Sequence, residues 1–152
     1  VSAERQLTEL VDEVFRLADA FTSAGDAMAA EEGLTAARWL TLGAVAHGPL
    51  SVAGIARRRG MRRQSAAEGV AALERAGLVT RTPDPLDARA PLVALTERGR
   101  AALERIRPAR TAWARRTAAA VGEEDLATAV RVARRLRENL QAAEGDHATG
   151  SR

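Results

Sequence analysis

Residues 50–96, LSVAGIARRRGMRRQSAAEGVAALERAGLVTRTPDPLDARAPLVALT, read as two short helices followed by a proline-rich hairpin. Ser51 can accept from the free amides at the start of the first helix, Leu50 and Ile55 occupy the staple positions around that cap, and Gly60 closes it. The second helix is predicted from Arg62 or Arg63 to Gly77, with Ala66, Val70 and Leu73 inward. A step of about 100° per residue turns Gln64, Glu68, Ala71, Ala72 and Arg75 to the solvent side, with Ser65 and Ala67 on the flanks. Residues 78–82 and 91–95 favour strands, and residues 83–89 between them are too polar and proline-broken for either element. Two helices across a tight turn and a two-stranded wing make a winged helix-turn-helix, whose Pro83, Pro85 and Pro91 would blunt the exposed strand edges.

Toward the amino end, Thr35 is a second cap, with Leu34 and Trp39 as its staple, for a helix ending at His47, Gly48 and Pro49. Before it, residues 3–24 carry Leu7, Leu10, Val11, Val14, Leu17, Ala18 and Phe21 at spacings of three and four, the stripe of an amphipathic helix. Ser2 can cap that helix and Gly25 can stop it. Beyond the wing, Thr96 caps a long helix to Val121 with Leu103, Ile106, Ala109 and Trp113 near its apolar side, and Pro108 should kink it. Gly122 separates it from a last helix, whose first turn is loaded favourably by Glu123, Glu124 and Asp125. The stripe of that helix is Leu126, Val130, Ala133, Leu136 and Leu140.

The 152 residues suit about one domain, and 46% hydrophobic with 28% charged residues is ordinary for a globular chain. No run of about 18 apolar residues is present, so no spanning helix and no membrane partner are expected. The opening residues VSAERQ lack the apolar core of a secretory signal, and a cytoplasmic location is expected. Cysteine is absent, which removes disulfides, thiolate nucleophiles and most structural zinc sites. With only His47 and His147 and no phosphate loop, ligand cluster or nucleophile motif, no catalytic residue, metal or cofactor is expected. All 23 basic residues are arginine, the side chain best suited to phosphate and to guanine edges.

The arginines are also concentrated. Arg57, Arg58, Arg59, Arg62 and Arg63 fall together with no acidic residue among them, just before the exposed face of the second short helix. That placement favours phosphate contact over a merely solvated surface. Gln64 and Ser65 can reach base edges, Gln being suited to adenine N6 and N7. Glu68 can accept from cytosine N4 or hold a nearby arginine, and the second role is the one expected. Gly69 costs roughly 1 kcal/mol relative to Ala in a helix, and close packing is one reason to keep it. In the wing, Asp87 and Arg89 stand two apart, so the carboxylate can orient a guanidinium that enters a narrow minor groove.

The run GLVTRTPDPLDARAPLVALTERG at residues 77–99, preceded by GMRRQSAAEGVAALERAG at 60–77, resembles the wing and recognition helix of the MarR family of bacterial transcription regulators. The two segments cover about a quarter of the chain, and the order of the flanking helices fits the rest. The resemblance implies a homodimer whose first and last helices interlock and whose recognition helices enter successive major grooves of a pseudo-palindrome. By position, Arg62, Arg63, Gln64, Ser65, Ala67 and Glu68 would face double-stranded DNA, Arg89 would be the wing arginine and Asp87 its partner. Three residues depart from the pattern: Arg62 stands where a Ser or Thr cap is common, Glu68 where a basic residue is frequent, and Ala88 in place of the first Arg of Asp-Arg-Arg. Losing cations at the last two implies weaker or differently selective binding, and the lack of cysteine argues against thiol sensing. Many such regulators respond to small, often aromatic ligands held between the dimer helices and the DNA-binding lobe. Trp39, Phe15, Phe21, Met28, His47 and Trp113 could line such a site or belong to the core, and none is assigned to a ligand.

The expectation is therefore a mainly α chain with a small β wing: one domain over residues 1–143, the winged helix-turn-helix at about 34–96, dimerisation helices at about 3–24 and 97–143, and a disordered tail at 144–152. Its function would be operator binding with release by a small effector. The alternative is a winged helix used for protein contacts, as in an antagonist of another regulator, which Glu68 and Ala88 keep open.

Overall fold

A computed structural model describes residues 1–149. The chain runs α1 (Ala3–Ala29), a 3-10 turn (Ala30–Glu32), α2 (Ala36–Ala44), β1 (Leu50–Ser51), α3 (Val52–Arg59), α4 (Arg63–Arg75), β2 (Val79–Asp84), β3 (Asp87–Leu95), α5 (Glu97–Val121) and α6 (Glu123–Thr149). It is mainly helical with a small antiparallel sheet, as expected. Residues 1–109 make one compact unit and the residues from Arg110 onward a second.

The four hydroxyls expected as caps all accept from the amide three residues on: Ser2 from Arg5 (3.3 Å), Thr35 from Arg38 (3.2 Å), Ser51 from Gly54 (3.1 Å) and Thr96 from Gly99 (3.1 Å). Each satisfies a donor that the first turn leaves free. Asp26 adds a second acceptor at the start of α2, where its Oδ1 takes the Ala36 amide at 2.6 Å. Gly60 ends α3 in the left-handed region, φ 63°, where a side chain would be strained.

Helix α1 continues past Gly25 to Ala29. Gly25 is a packing residue: a Cβ there would stand 2.7 Å from Ala36 Cβ, so its bareness lets α1 and α2 approach. The chain turns instead at Gly33, φ 70°. Helix α2 stops at Ala44, short of the His47 expected, and turns carry the chain onward.

The wing also differs from expectation. Its strands extend to Asp84 and from Asp87, leaving only Pro85 and Leu86 as the turn. Pro83 and Pro91 both fall between the Thr82↔Leu92 and Asp84↔Asp87 pairs, where the register shifts. A bulge spares proline from supplying a ladder hydrogen bond, so a segment that looks too broken to pair still pairs. A third strand, β1, pairs with β3 through Leu50↔Val93 and Ser51↔Leu92, giving the order β1-β3-β2. Two residues are too few to announce themselves by alternation.

The core of the first unit closes around Leu42, Ile55, Val70, Leu73 and Val93, all essentially inaccessible, with Ala102 and Ile106 from α5 beside them. Burying each of the larger side chains contributes about 1.5–3 kcal/mol. The expected inward face of α4, Ala66, Val70 and Leu73, is buried throughout. Gly69 on that helix faces Thr41, whose Oγ1 would be 3.1 Å from an added Cβ, which accounts for the glycine by close packing. In contrast, the large residues of the α1 stripe, Leu7, Leu10, Val11, Val14, Leu17 and Phe21, are 37–52% exposed, and Phe15 beside them is 73% exposed. In the second unit, Leu126 and Leu136 are half-buried, while Val130 and Leu140 are exposed. Helix α6 is regular to Thr149 where a disordered tail was expected from residue 144; the rest of that tail lies outside the described residues.

Candidate nucleic-acid interface

The five clustered arginines divide into two kinds. Arg58 Nη1 donates to the Ala44 carbonyl at 3.2 Å, and Arg59 Nε donates to the Leu40 carbonyl at 2.8 Å. The Ala44 carbonyl is among the last four of α2, which lack helical donors and carry the negative end of the helix dipole, and the Leu40 carbonyl lies one turn earlier. Gly43 makes room for this: an added Cβ would lie 2.8 Å from Arg59 Nη2. Arg58 and Arg59 therefore join α3 to α2, and the expectation that the whole cluster meets phosphate is corrected for these two.

Arg57, Arg62 and Arg63 are exposed and, among the described residues, make no side-chain hydrogen bond or ion pair. Arg57, which is in the cluster but not among the residues placed on DNA by the family resemblance, is exposed like the other two. Arg62 is the residue before α4 and offers no side-chain cap, so its departure from a Ser or Thr cap leaves a guanidinium where a hydroxyl would turn inward.

On α4, Gln64, Ser65 and Glu68 are exposed, Ala67 is half-buried, and Ala71 and Ala72 are half-buried where solvent was expected. Among the described residues Glu68 holds no arginine. Its Oε1 accepts from Gln64 Nε2 at 3.4 Å, one turn earlier on the same helix. Near the far end of α4, Glu74 Oε2 lies 3.4 Å from Arg81 Nε of β2, an exposed pair that links helix to wing and that spacing alone could not reveal.

At the wing tip the carboxylates are turned onto the backbone. Asp84 Oδ1 accepts from the Leu86 amide at 2.9 Å and Asp87 Oδ1 from the Arg89 amide at 3.0 Å. Asp87 thus orients the main chain that carries Arg89, and not the guanidinium as expected. Arg89 and Ala88 are exposed, and Leu86 is 95% exposed. Of the aromatic and other residues considered for a ligand, Phe15, Phe21 and His47 are exposed, and Trp39, Met28 and Trp113 are half-buried. Among the described residues no group of three or more His, Asp or Glu is arranged to hold a metal, and no helix is long and apolar enough to cross a membrane.

A profile of the MarR family matches residues 32–90, from the turn before α2 into the wing. An uncharacterized protein of Mycobacterium tuberculosis is 38% identical over 101 residues, covering 66% of this chain and 71% of that protein. A probable transcriptional regulator from Pseudomonas aeruginosa superposes with a TM-score of 0.71 at 28% identity, over 86% of this chain and 98% of its own. The PcaV transcriptional regulator from Streptomyces coelicolor, solved with its natural ligand, gives 0.72 at 28% identity, over 82% and 89% respectively.

Proposed function

This chain belongs to the MarR family of transcriptional regulators, and on that premise we propose that it is a cytoplasmic homodimer that binds a pseudo-palindromic operator and is released by a small ligand. The observation that carries the reading is the split among the clustered arginines. Arg58 and Arg59 are spent on α2, while Arg57 at the end of α3 and Arg62 and Arg63 at the start of α4 are exposed and, among the described residues, unpaired. Unpaired guanidiniums beside a helix that shows Gln64, Ser65, Ala67 and Glu68 outward are what phosphate contact and groove reading require. Arg89, carried on a wing tip braced by Asp87, would enter the minor groove.

The α1 stripe supports the dimer. Large apolar side chains exposed in array along one helix form a surface suited to a partner, and a second copy would supply the cover. The ligand is proposed from the family and from the ligand-bound PcaV structure; no residue is assigned to it. The chemistry is recognition without catalysis.

Fluorescence anisotropy on the duplex upstream of the protein's own gene, repeated across salt concentrations, tests the reading. Specific binding with log affinity falling linearly against log salt is expected. Absent or salt-independent binding would overturn it in favour of a winged helix used for protein contacts. Sedimentation equilibrium tests the dimer, and a monomer at micromolar concentration would sink that part.

A further inference from the structure

We infer that Gln64 and Glu68 act as one base-reading pair, with Glu68 accepting from a cytosine N4 amino group and Gln64 facing an adenine one or two base steps away. The inference rests on the DNA-binding reading and adds to it the sequence that the recognition helix prefers. Glu68 is exposed on α4 and its hydrogen bond is to Gln64, not to a cation. Among the described residues its Oε2 accepts no hydrogen bond, and neither does Gln64 Oε1. A carboxylate can only accept, so the Gln64 amide must present its nitrogen to Glu68 and its oxygen away from it. The amide nitrogen keeps a second hydrogen to donate. Together they form the donor and acceptor pair that matches adenine N7 and N6.

Glu68 then offers acceptors alone. In the major groove guanine shows two acceptors, thymine one and adenine one beside its amino group, whereas cytosine shows only a donor. A carboxylate set there is repelled by guanine and thymine, meets a mixed edge on adenine and is fully matched only by cytosine, so it selects by exclusion as well as by attraction. Four residues advance about 6 Å along a helix, and base pairs are spaced by about 3.4 Å. The two side chains therefore span one or two steps. The Gln64 to Glu68 contact, long at 3.4 Å, steers both without locking either.

The test is selection of bound duplexes from random DNA by the full-length protein and by Glu68→Ala and Glu68→Gln, followed by titration on the selected duplex and on one with its cytosine replaced by thymine. Wild type should select a cytosine within two steps of an adenine in each half-site and discriminate against thymine by roughly ten- to hundredfold. Glu68→Ala should lose that discrimination, and Glu68→Gln should move the preference from cytosine to adenine. An unchanged cytosine preference in Glu68→Ala, or wild-type sites without that cytosine, would overturn the pair as a reader while leaving DNA binding intact. Failure of wild type to select any DNA would instead overturn the DNA-binding reading beneath it. Thermal melts of each variant check that the fold is retained.

Discussion

Arg105 grips Glu32 through two parallel hydrogen bonds, Nε to Oε1 at 2.6 Å and Nη2 to Oε2 at 2.8 Å, across a sequence separation of 73. The pair fastens the turn before α2 to α5, and this two-pronged geometry is specific to arginine. The hydrogen bond from Arg105 holds the Glu32 carboxyl below its ordinary value of 4.5. A lowered folded value means stability that is present above 4.5 and is lost as the pH falls through the folded value. Glu32→Gln should therefore melt at a lower temperature than wild type at neutral pH, with the gap closing as the pH drops below 4.5. A gap that stays constant through that range in calorimetry would show that Glu32 acts by packing alone.

Two glycines should respond very differently to a methyl group. A Cβ on Gly99 would run into the Leu78 carbonyl oxygen, a backbone atom that cannot yield without moving the connection between α4 and β2. Gly99→Ala should cost about 3 kcal/mol or more. At Gly69 the nearest atom is the Thr41 side chain at 3.1 Å, and the helix gains about 1 kcal/mol in propensity. Gly69→Ala should be close to neutral in urea denaturation.

The split among the arginines predicts a split in phenotype. Arg62→Ala and Arg63→Ala should weaken DNA binding at low salt and reduce the slope of log affinity against log salt by about one each. Arg59→Ala should leave that slope unchanged and lower the melting temperature, because its partner is the Leu40 carbonyl. Equal salt slopes for all three variants would contradict the division.

The wing separates two ways in which a carboxylate can assist an arginine. Arg89→Ala should lower operator affinity by roughly tenfold with the oligomeric state unchanged. If Asp87 acts through the Arg89 amide, Asp87→Asn, which retains an acceptor oxygen, should bind DNA at least as well as wild type, and Asp87→Ala should bind worse. Were the guanidinium its true partner, both variants would be impaired alike.

What could be read beforehand follows the range of the interactions involved. Caps at Ser2, Thr35, Ser51 and Thr96 depend on residues three apart, and the inward face of α4 depends on periodicity, so both were legible. The bonds from Arg58 and Arg59 to carbonyls 14 and 19 residues away require two helices to be placed first, and nothing in an arginine run tells an anchoring member from a free one. Gly25 reads as a helix stop because close packing against Ala36 leaves no local trace. In the wing, Pro83 and Pro85 read as part of a long loop, and the bulge that accommodates Pro83 and Pro91 appears only with the register. Glu68 reads correctly as solvent-facing, but its partner does not follow from the sequence, since Gln64 and an arginine are equally plausible neighbours until side chains are positioned.

The uncovered stripe along α1 has a consequence for how long each molecule lasts. Under the proposed pairing, folding and association are linked, so the melting temperature should climb with protein concentration. Scarcity would then penalise the protein twice: fewer dimers to occupy the operator, and a larger share of separated chains open to unfolding and proteolysis. Abundance itself becomes a setting of the switch, with low expression cleared faster than it would be for a self-sufficient monomer.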